Sequence, residues 1–298
     1  MEQIVLSIFN MKPDANAKTE WDLVINPKPA LFHFGIKELF RYRDLITLFV
    51  KRDLIAQYKQ TLLGPAWLIL QPLLWTVFYS VIFGNFAKFD AGSIPYPIFI
   101  LSGFTIWNFF SSSLNKTSTV FVSNAGVFGK VYFPRLTVPV AALLSNGFAF
   151  MIQCILLVLL LLIYTLFFGY TWTLDPAKLL LFPVLLVICG AFGLGAGLIV
   201  SSLTTKYRDL TFLVGFALQF GMFFSEVVFP IAKFSPEIQR LFNLNPLLHI
   251  INSFRAVFIN APVPEFHWLL YSFCFTVVVV ILGMLVFNKV EKSFMDTV

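Results

Sequence analysis

Long apolar runs alternate with short polar patches along this chain of 298 residues. Six of the runs read as membrane-crossing helices: 65–84, 97–117, 138–168, 178–202, 210–230 and 267–288. A helix needs about 20 apolar residues to cross a hydrocarbon core of about 30 Å. The first run opens with Gly64-Pro65, and proline suits the first turn of a helix. The third is longer than one crossing requires, which tilt or protrusion accommodates.

Three stretches follow other patterns. Residues 1–36 are polar and contain proline, and are expected to be extended or irregular. They carry no secretory signal, because position 2 is acidic and the apolar stretch is too short. Residues 37–62 are expected to form an amphipathic helix. Tyr42, Leu45, Ile46, Phe49 and Val50 fall on one side, and Arg41, Asp44, Lys51, Arg52 and Lys59 on the other. Leu48, Asp53 and Ile55 interrupt the pattern. A basic amphipathic helix just before a span is expected to lie along the membrane interface. The third stretch, 236–258, is expected to hold two short helices. Ser235-Pro236 and Asn245-Pro246 are their start signals, and Leu244 separates them. They are too short to cross and too apolar for water, so they are expected to re-enter the protein part way and line a cavity.

Composition fits a membrane chain. It is 58% hydrophobic and only 12% charged, against roughly 25% charged residues in a soluble protein. Cys154, Cys189 and Cys274 all fall inside apolar runs and read as buried small hydrophobes. The net charge of +6 suggests a membrane surface and not nucleic acid, because of where it lies. With the N-terminus in the cytoplasm, only Lys88, Lys178, Lys233, Arg240 and Arg255 of the 21 Lys and Arg fall outside. The positive-inside bias therefore puts both termini in the cytoplasm.

The chemistry of a self-powered pump is absent. No G-x-x-x-x-G-K-[ST] occurs, and GVFGKV at 126–131 lacks both the spacing and the hydroxyl residue. No metal-spaced Cys/His cluster and no paired intramembrane acids or histidines occur. Proton-coupled transporters place several ionisable groups at membrane depth, and here Glu226 is the one obvious candidate. The chain therefore reads as the membrane part of an assembly powered by another subunit. Two cytoplasmic turns gain interest: NAGVFGKVYFPRL at 124–136 and TTKYRDL at 204–210. Positive-inside signalling explains their basic residues. Docking of a partner also explains the aromatics, since Arg and rings are favoured at protein contacts.

The blocks RYRDLITLFVKRDLIAQYKQTLLGPAW, NAGVFGKVYFPRLTVPV, TTKYRDL and NPLLHIINSFR, in that order, resemble the permease subunit of ABC-type polysaccharide exporters. This family serves O-antigen and capsule export, and its relatives export teichoic acids. The resemblance spans about residues 25–290. It implies an all-α membrane protein with a six-span permease domain over 63–298, working as a homodimer in the bacterial inner membrane. Two copies of a separate ATPase would sit beneath and carry the ATP and Mg, so this chain would hold no cofactor and would not itself be an enzyme. The substrate implied is a sugar polymer on a lipid carrier. An ABC permease for another lipid or a drug, and a membrane glycosyl- or acyltransferase, are the competing readings.

Site residues follow from the resemblance. Gly129, Lys130, Tyr132, Phe133, Pro134, Arg135, Lys206, Tyr207, Arg208 and Asp209 would couple to the ATPase. Asn245, Pro246, His249 and Arg255 would belong to the external gate. Arg41, Arg43, Lys51, Arg52 and Lys59 would attract the phosphates of the lipid carrier, with anionic lipid as the simpler ligand. Helical spacing puts Trp67, Gln71, Trp75 and Phe78 on one face, and Phe212, Phe216, Gln219 and Phe223 on another. Thr105, Asn108, Ser112 and Asn115 form a polar stripe. Rings interleaved with amides suit a sliding sugar chain, so these faces are expected to line the channel. Hydrogen bonding between helices is the alternative use of the amides. One departure stands out: SEVVFP at 225–230 replaces a family turn resembling SPVFYP. Glu226 takes the place of its first proline and Phe229 that of its tyrosine. Two readings of Glu226 stay open: a channel role near the external mouth, and a carboxylate reaching the outer interface.

Overall fold

The structure, a computed structural model, describes residues 36–295 except 60, 129–132 and 208. The expected N-terminal segment falls outside these residues up to position 35. Among the described residues the chain is helical, without strands. Helix α1 (Ile36–Arg41) leads into α2 (Arg43–Tyr58). Helix α3 (Trp67–Tyr79) is preceded by a 3-10 turn and continued by a π-helical stretch, Ser80–Phe86. Then come α4 (Tyr96–Ser118), α5 (Thr137–Phe168), α6 (Leu181–Thr204) and α7 (Leu210–Phe223). The chain closes with α8 (Pro236–Asn243), α9 (Pro246–Phe258) and α10 (Phe266–Met295).

Among the described residues, five stretches are long and apolar enough to cross a membrane: Gly64–Phe86, Tyr96–Ser118, Thr137–Phe168, Pro176–Thr204 and Phe266–Val290. The expected crossing 210–230 differs. It is helical only over the 14 residues of α7, a rise of about 21 Å. In the turn that follows, Glu226 takes φ +56, a left-handed value incompatible with continued helix. The expected interface helix also differs. It is divided at Tyr42 (φ −95, ψ 23) and ends at Lys59, whose backbone is extended.

Local chemistry explains the other boundaries. Helix α5 stops at Gly169 (φ +69), and the Tyr170 N–H closes back on Tyr164 O at 3.2 Å. Glycine takes this left-handed conformation freely because it lacks a Cβ. Asp175 accepts from Ala177 N–H (3.0 Å) to start the turn ahead of α6. The short helices α8 and α9 are present, parted at Leu244 as the prolines imply. Ser235 precedes α8 without a side-chain capping bond.

Helix α4 is the centre. It is buried without interruption from Ile98 to Trp107 and packs against α3, α5, α6, α7 and α9. Two apolar cores result. One joins α4, α5, α6 and α9. The other lies where α2, the α4–α5 connection, the start of α5 and the last turns of α6 and α10 meet, around Phe49, Phe121, Phe133, Leu198 and Phe287. The two ends are called the α9 end and the α2 end.

Close backbone approach holds α6 in place. A Cβ at Gly197 would lie 2.5 Å from Thr117 Cβ of α4. One at Gly283 of α10 would lie 2.5 Å from Gly195 O. Such small-residue contacts are how helices pack where lipid offers no hydrophobic drive for association. We expect Gly283→Val to cost about 1–3 kcal/mol through overpacking and to lower the thermal midpoint of the purified protein. Gly215→Ala, whose Cβ would meet nothing within 4 Å, should leave it unchanged. Equal midpoints for the two variants would contradict this packing.

Candidate functional site

At the α9 end a guanidinium stands inside the apolar core. All of α9 except Asn252 is buried, and Arg255 is only 2% exposed. Its Nε donates to Ser102 Oγ (3.3 Å) and its Nη1 to Asn252 Oδ1 (3.2 Å). Its Nη2 donates to Phe99 O (3.1 Å) and Val227 O (3.4 Å). The guanidinium carbon lies 3.6 Å from the centre of the Phe99 ring, a cation–π contact. Gly103 makes room, since a Cβ there would lie 2.8 Å from Nη2. Four hydrogen bonds thus reach two elements besides α9: α4 and the turn after α7.

Glu226 completes the arrangement. Its Oε2 accepts from Asn252 Nδ2 (2.6 Å) and its Oε1 from Ile231 N–H (3.0 Å). The Asn252 amide therefore has its oxygen toward Arg255 and its nitrogen toward Glu226, the orientation that satisfies both neighbours. Glu226 is buried. The expectation that it reaches the outer interface is overturned: partners inside the protein hold both of its oxygens.

Neighbouring polar groups anchor the same hairpin. Asn245 caps α9, its side chain accepting from Leu247 N–H (3.0 Å). Its Nδ2 also donates to Phe224 O (3.0 Å) and Ser225 Oγ (2.9 Å). Pro246 fills the first helical position, where its missing N–H costs nothing. His249 Nε2 contacts Asn243 O (2.9 Å), and its ring stacks on Trp268 (4.5 Å). The last carbonyls of α9 and the residue after it are met by Trp172 Nε1, donating to Phe258 O (2.7 Å), and Tyr170 OH, donating to Ile259 O (3.0 Å). Phe229 sits within 5.3–6.5 Å of the rings of Phe83, Phe89, Phe223, Phe234 and Phe242. Of the expected gate residues, Asn245, Pro246, His249 and Arg255 are thus brought together by one hairpin. Asn252, Ser102 and the inward role of Glu226 were missed. Asn252 stands at i−3 from Arg255 on the same helix, a spacing that could have signalled it; Ser102, 153 positions from Arg255, and Glu226, 26 from Asn252, carry no local signal.

At the α2 end the two turns differ in character. Gly129, Lys130, Tyr132 and Arg208 lie outside the described residues. Phe133 is buried against Phe49 (5.6 Å) and Phe128 (5.7 Å), and buried Arg135 lies over Phe128 (5.3 Å). Both side chains therefore anchor their loop to the protein and are not presented outward, while Pro134 is half-buried. In the second turn Lys206, Tyr207 and Asp209 are exposed, with Lys206 Nζ 5.2 Å from the Tyr207 ring. Thr204 ties this turn to α4, donating to Ser118 O (2.6 Å).

The basic residues Arg41, Arg43, Lys51, Arg52 and Lys59 are all exposed. Arg52 is already engaged: Nε and Nη2 reach Asp53 Oδ1 (2.9 and 2.8 Å), and the guanidinium covers Phe49 (4.7 Å). On the expected channel faces, Trp67, Gln71, Trp75, Phe78, Phe216 and Gln219 are exposed and Phe223 is half-buried. Asn108 is half-buried and donates to Gln153 Oε1 of α5 (3.4 Å), the use of an amide between helices. Helices α3 and α7 both lie against α4, and Tyr79 of α3 meets Phe223 of α7 at 6.4 Å. The two exposed faces therefore belong to helices that converge toward the α9 end.

Comparison with known proteins places this geometry. The chain is 26% identical over 267 residues to the O-antigen export system permease protein RfbA of Myxococcus xanthus, covering 88% of this chain and 98% of that protein. It is 24% identical over 254 residues to an RfbA of Klebsiella pneumoniae, covering 85% and 94%. Similarity to the polysialic acid transport protein KpsM of Escherichia coli is 24% over 247 residues, covering 83% and 93%. The family described as ABC-2 type transporter matches residues 44–259, which include α2, the central helix α4 and the Arg255 cluster. The chain belongs to the ABC-2 type transporter family.

Proposed function

We propose that this chain is the transmembrane subunit of an ATP-driven exporter that moves a lipid-linked polysaccharide, of O-antigen or capsule type, outward across the bacterial inner membrane. The observation that carries this reading is end-to-end similarity to relatives named for O-antigen and polysialic acid export, covering nearly the whole of each relative. The work would be done as a homodimer with two ATPase subunits. The α2 end faces the cytoplasm, where the positive-inside bias puts the basic residues. The permease then has six crossings, the fifth formed by α7 and the turn after it, with α8 and α9 re-entering from the outside. The buried helix α9 suits that depth, because its backbone bonds are internal and its ends are capped.

In this reading the exposed turn Lys206–Asp209 meets the ATPase. Its motion passes to α4 through Thr204 and Ser118, and to α6, which glycine contacts seat tightly on α4 and α10. The 124–136 loop acts with it. The Phe133–Phe49 contact ties that loop to α2. Ringed faces of α3 and α7 line the path, where flat aromatic surface and amides let a sugar polymer slide without gripping one unit.

Two outcomes test the reading. Replacing Tyr207 and Asp209 together by Ala should leave the chain inserted but reduce ATPase pull-down and glycan export by roughly tenfold, the scale of losing an interface anchor. Wild-type pull-down and export would remove the turn from the coupling role. Separately, Gln71→Cys and Gln219→Cys, in a background lacking the exposed Cys274, should react with a membrane-impermeant thiol reagent and be protected during glycan transit. Reaction with lipid-soluble reagents alone would turn both faces toward lipid.

A further inference from the structure

Arg255 and Glu226 are opposite charges buried in one cluster, 2% and 7% exposed. The four hydrogen-bond acceptors of Arg255 are neutral: a hydroxyl, an amide oxygen and two backbone carbonyls. They take four of its five N–H groups, and the Phe99 ring faces its plane, but none of these partners carries a formal negative charge. A lone charge in apolar surroundings is strongly unfavourable. The carboxylate of Glu226 is joined to the guanidinium through a single amide, Asn252, which donates to one charge and accepts from the other. Glu226 also sits at φ +56, a conformation that a non-glycine residue adopts only under local constraint. Its second oxygen, bonded to Ile231 N–H, supplies that constraint.

We propose that Glu226 is a positioning residue: it is the counter-charge of Arg255, relayed by Asn252, and together the three hold the turn after α7 against α4 and α9. The chain Glu226–Asn252–Arg255 is electrically neutral as a unit and unstable when halved. It makes the turn, the α8–α9 hairpin and the start of α4 move as one body. The functional part rests on the permease reading above. The pairing itself does not.

The test compares Glu226→Gln, Arg255→Gln and the double variant. For the purified chain, each single change should lower the thermal midpoint by about 10 °C, the scale of breaking one partner of a buried pair. The double change removes both charges and should regain at least half of that loss. In the complex with the ATPase, at a temperature where all variants are folded, each single change should keep ATP hydrolysis but lower export at least threefold, and the double should recover export. Should a single variant fail to insert, recovery of inserted protein in the double carries the same comparison. Losses that add in the double, or a wild-type midpoint for Glu226→Gln, overturn the pairing. Lack of glycan export by the wild-type complex would sink the permease reading and leave the thermal comparison to judge the pair.

Discussion

A guanidinium inside an apolar core sets the terms for one end of this protein. Without water, the N–H groups of Arg255 need protein acceptors, four of which are supplied, and its charge needs an opposite within reach. Meeting that demand draws in α4 through Phe99 and Ser102, the turn after α7 through Val227, and α9 through Asn252. Gly103 is required because any side chain there would occupy the guanidinium's place. The left-handed bend at Glu226 follows, since it brings a carboxylate back to the amide of Asn252. A short helix that neither crosses nor floats can persist because this cluster and the caps around it leave few of its polar groups unmet.

The opposite end is organised differently. There the contacts are rings on rings: Phe49 with Phe133, Phe133 with Phe128, and Phe121 stacked on Phe287 at 4.6 Å. Aromatic packing is less directional than a hydrogen-bonded charge. It can bind α2, the 124–136 loop and the last helix together while tolerating small shifts among them. A stiff polar cluster at one end and a more adaptable aromatic core at the other would suit the proposed exporter, driven at one face and working at the far one. The glycine contacts of α6 supply the rigid connection.

Much of the architecture could be read from residue order. Five of the expected crossings lie where apolar run length puts them, because hydrophobic length is a local property. Asn245-Pro246 announced the start of α9 through capping chemistry. What escaped was set by distant partners. Glu226 looked like a surface carboxylate until Asn252, 26 positions away, took it inward. Phe133 and Arg135 looked like a docking surface, yet Phe133 packs on Phe49 of α2 and Arg135 is buried over Phe128. Asn108 looked like part of an open polar stripe, yet Gln153 faces it from α5. The end of α7 was overrun because residues 224–230 are mostly apolar, and the left-handed turn at Glu226 that departs from the helix is not announced by that composition.

Export of a lipid-linked polymer by this chain under the drive of a separate ATPase is the central proposal. Its most direct measurement uses the purified chain with its ATPase subunits in lipid vesicles. Fluorescent lipid-linked glycan is placed on the side that carries the ATPase. On adding ATP and Mg the glycan should become accessible on the opposite side, and a hydrolysis-deficient ATPase should abolish that transfer. Steady ATP hydrolysis with the glycan retained on its original side would contradict the account.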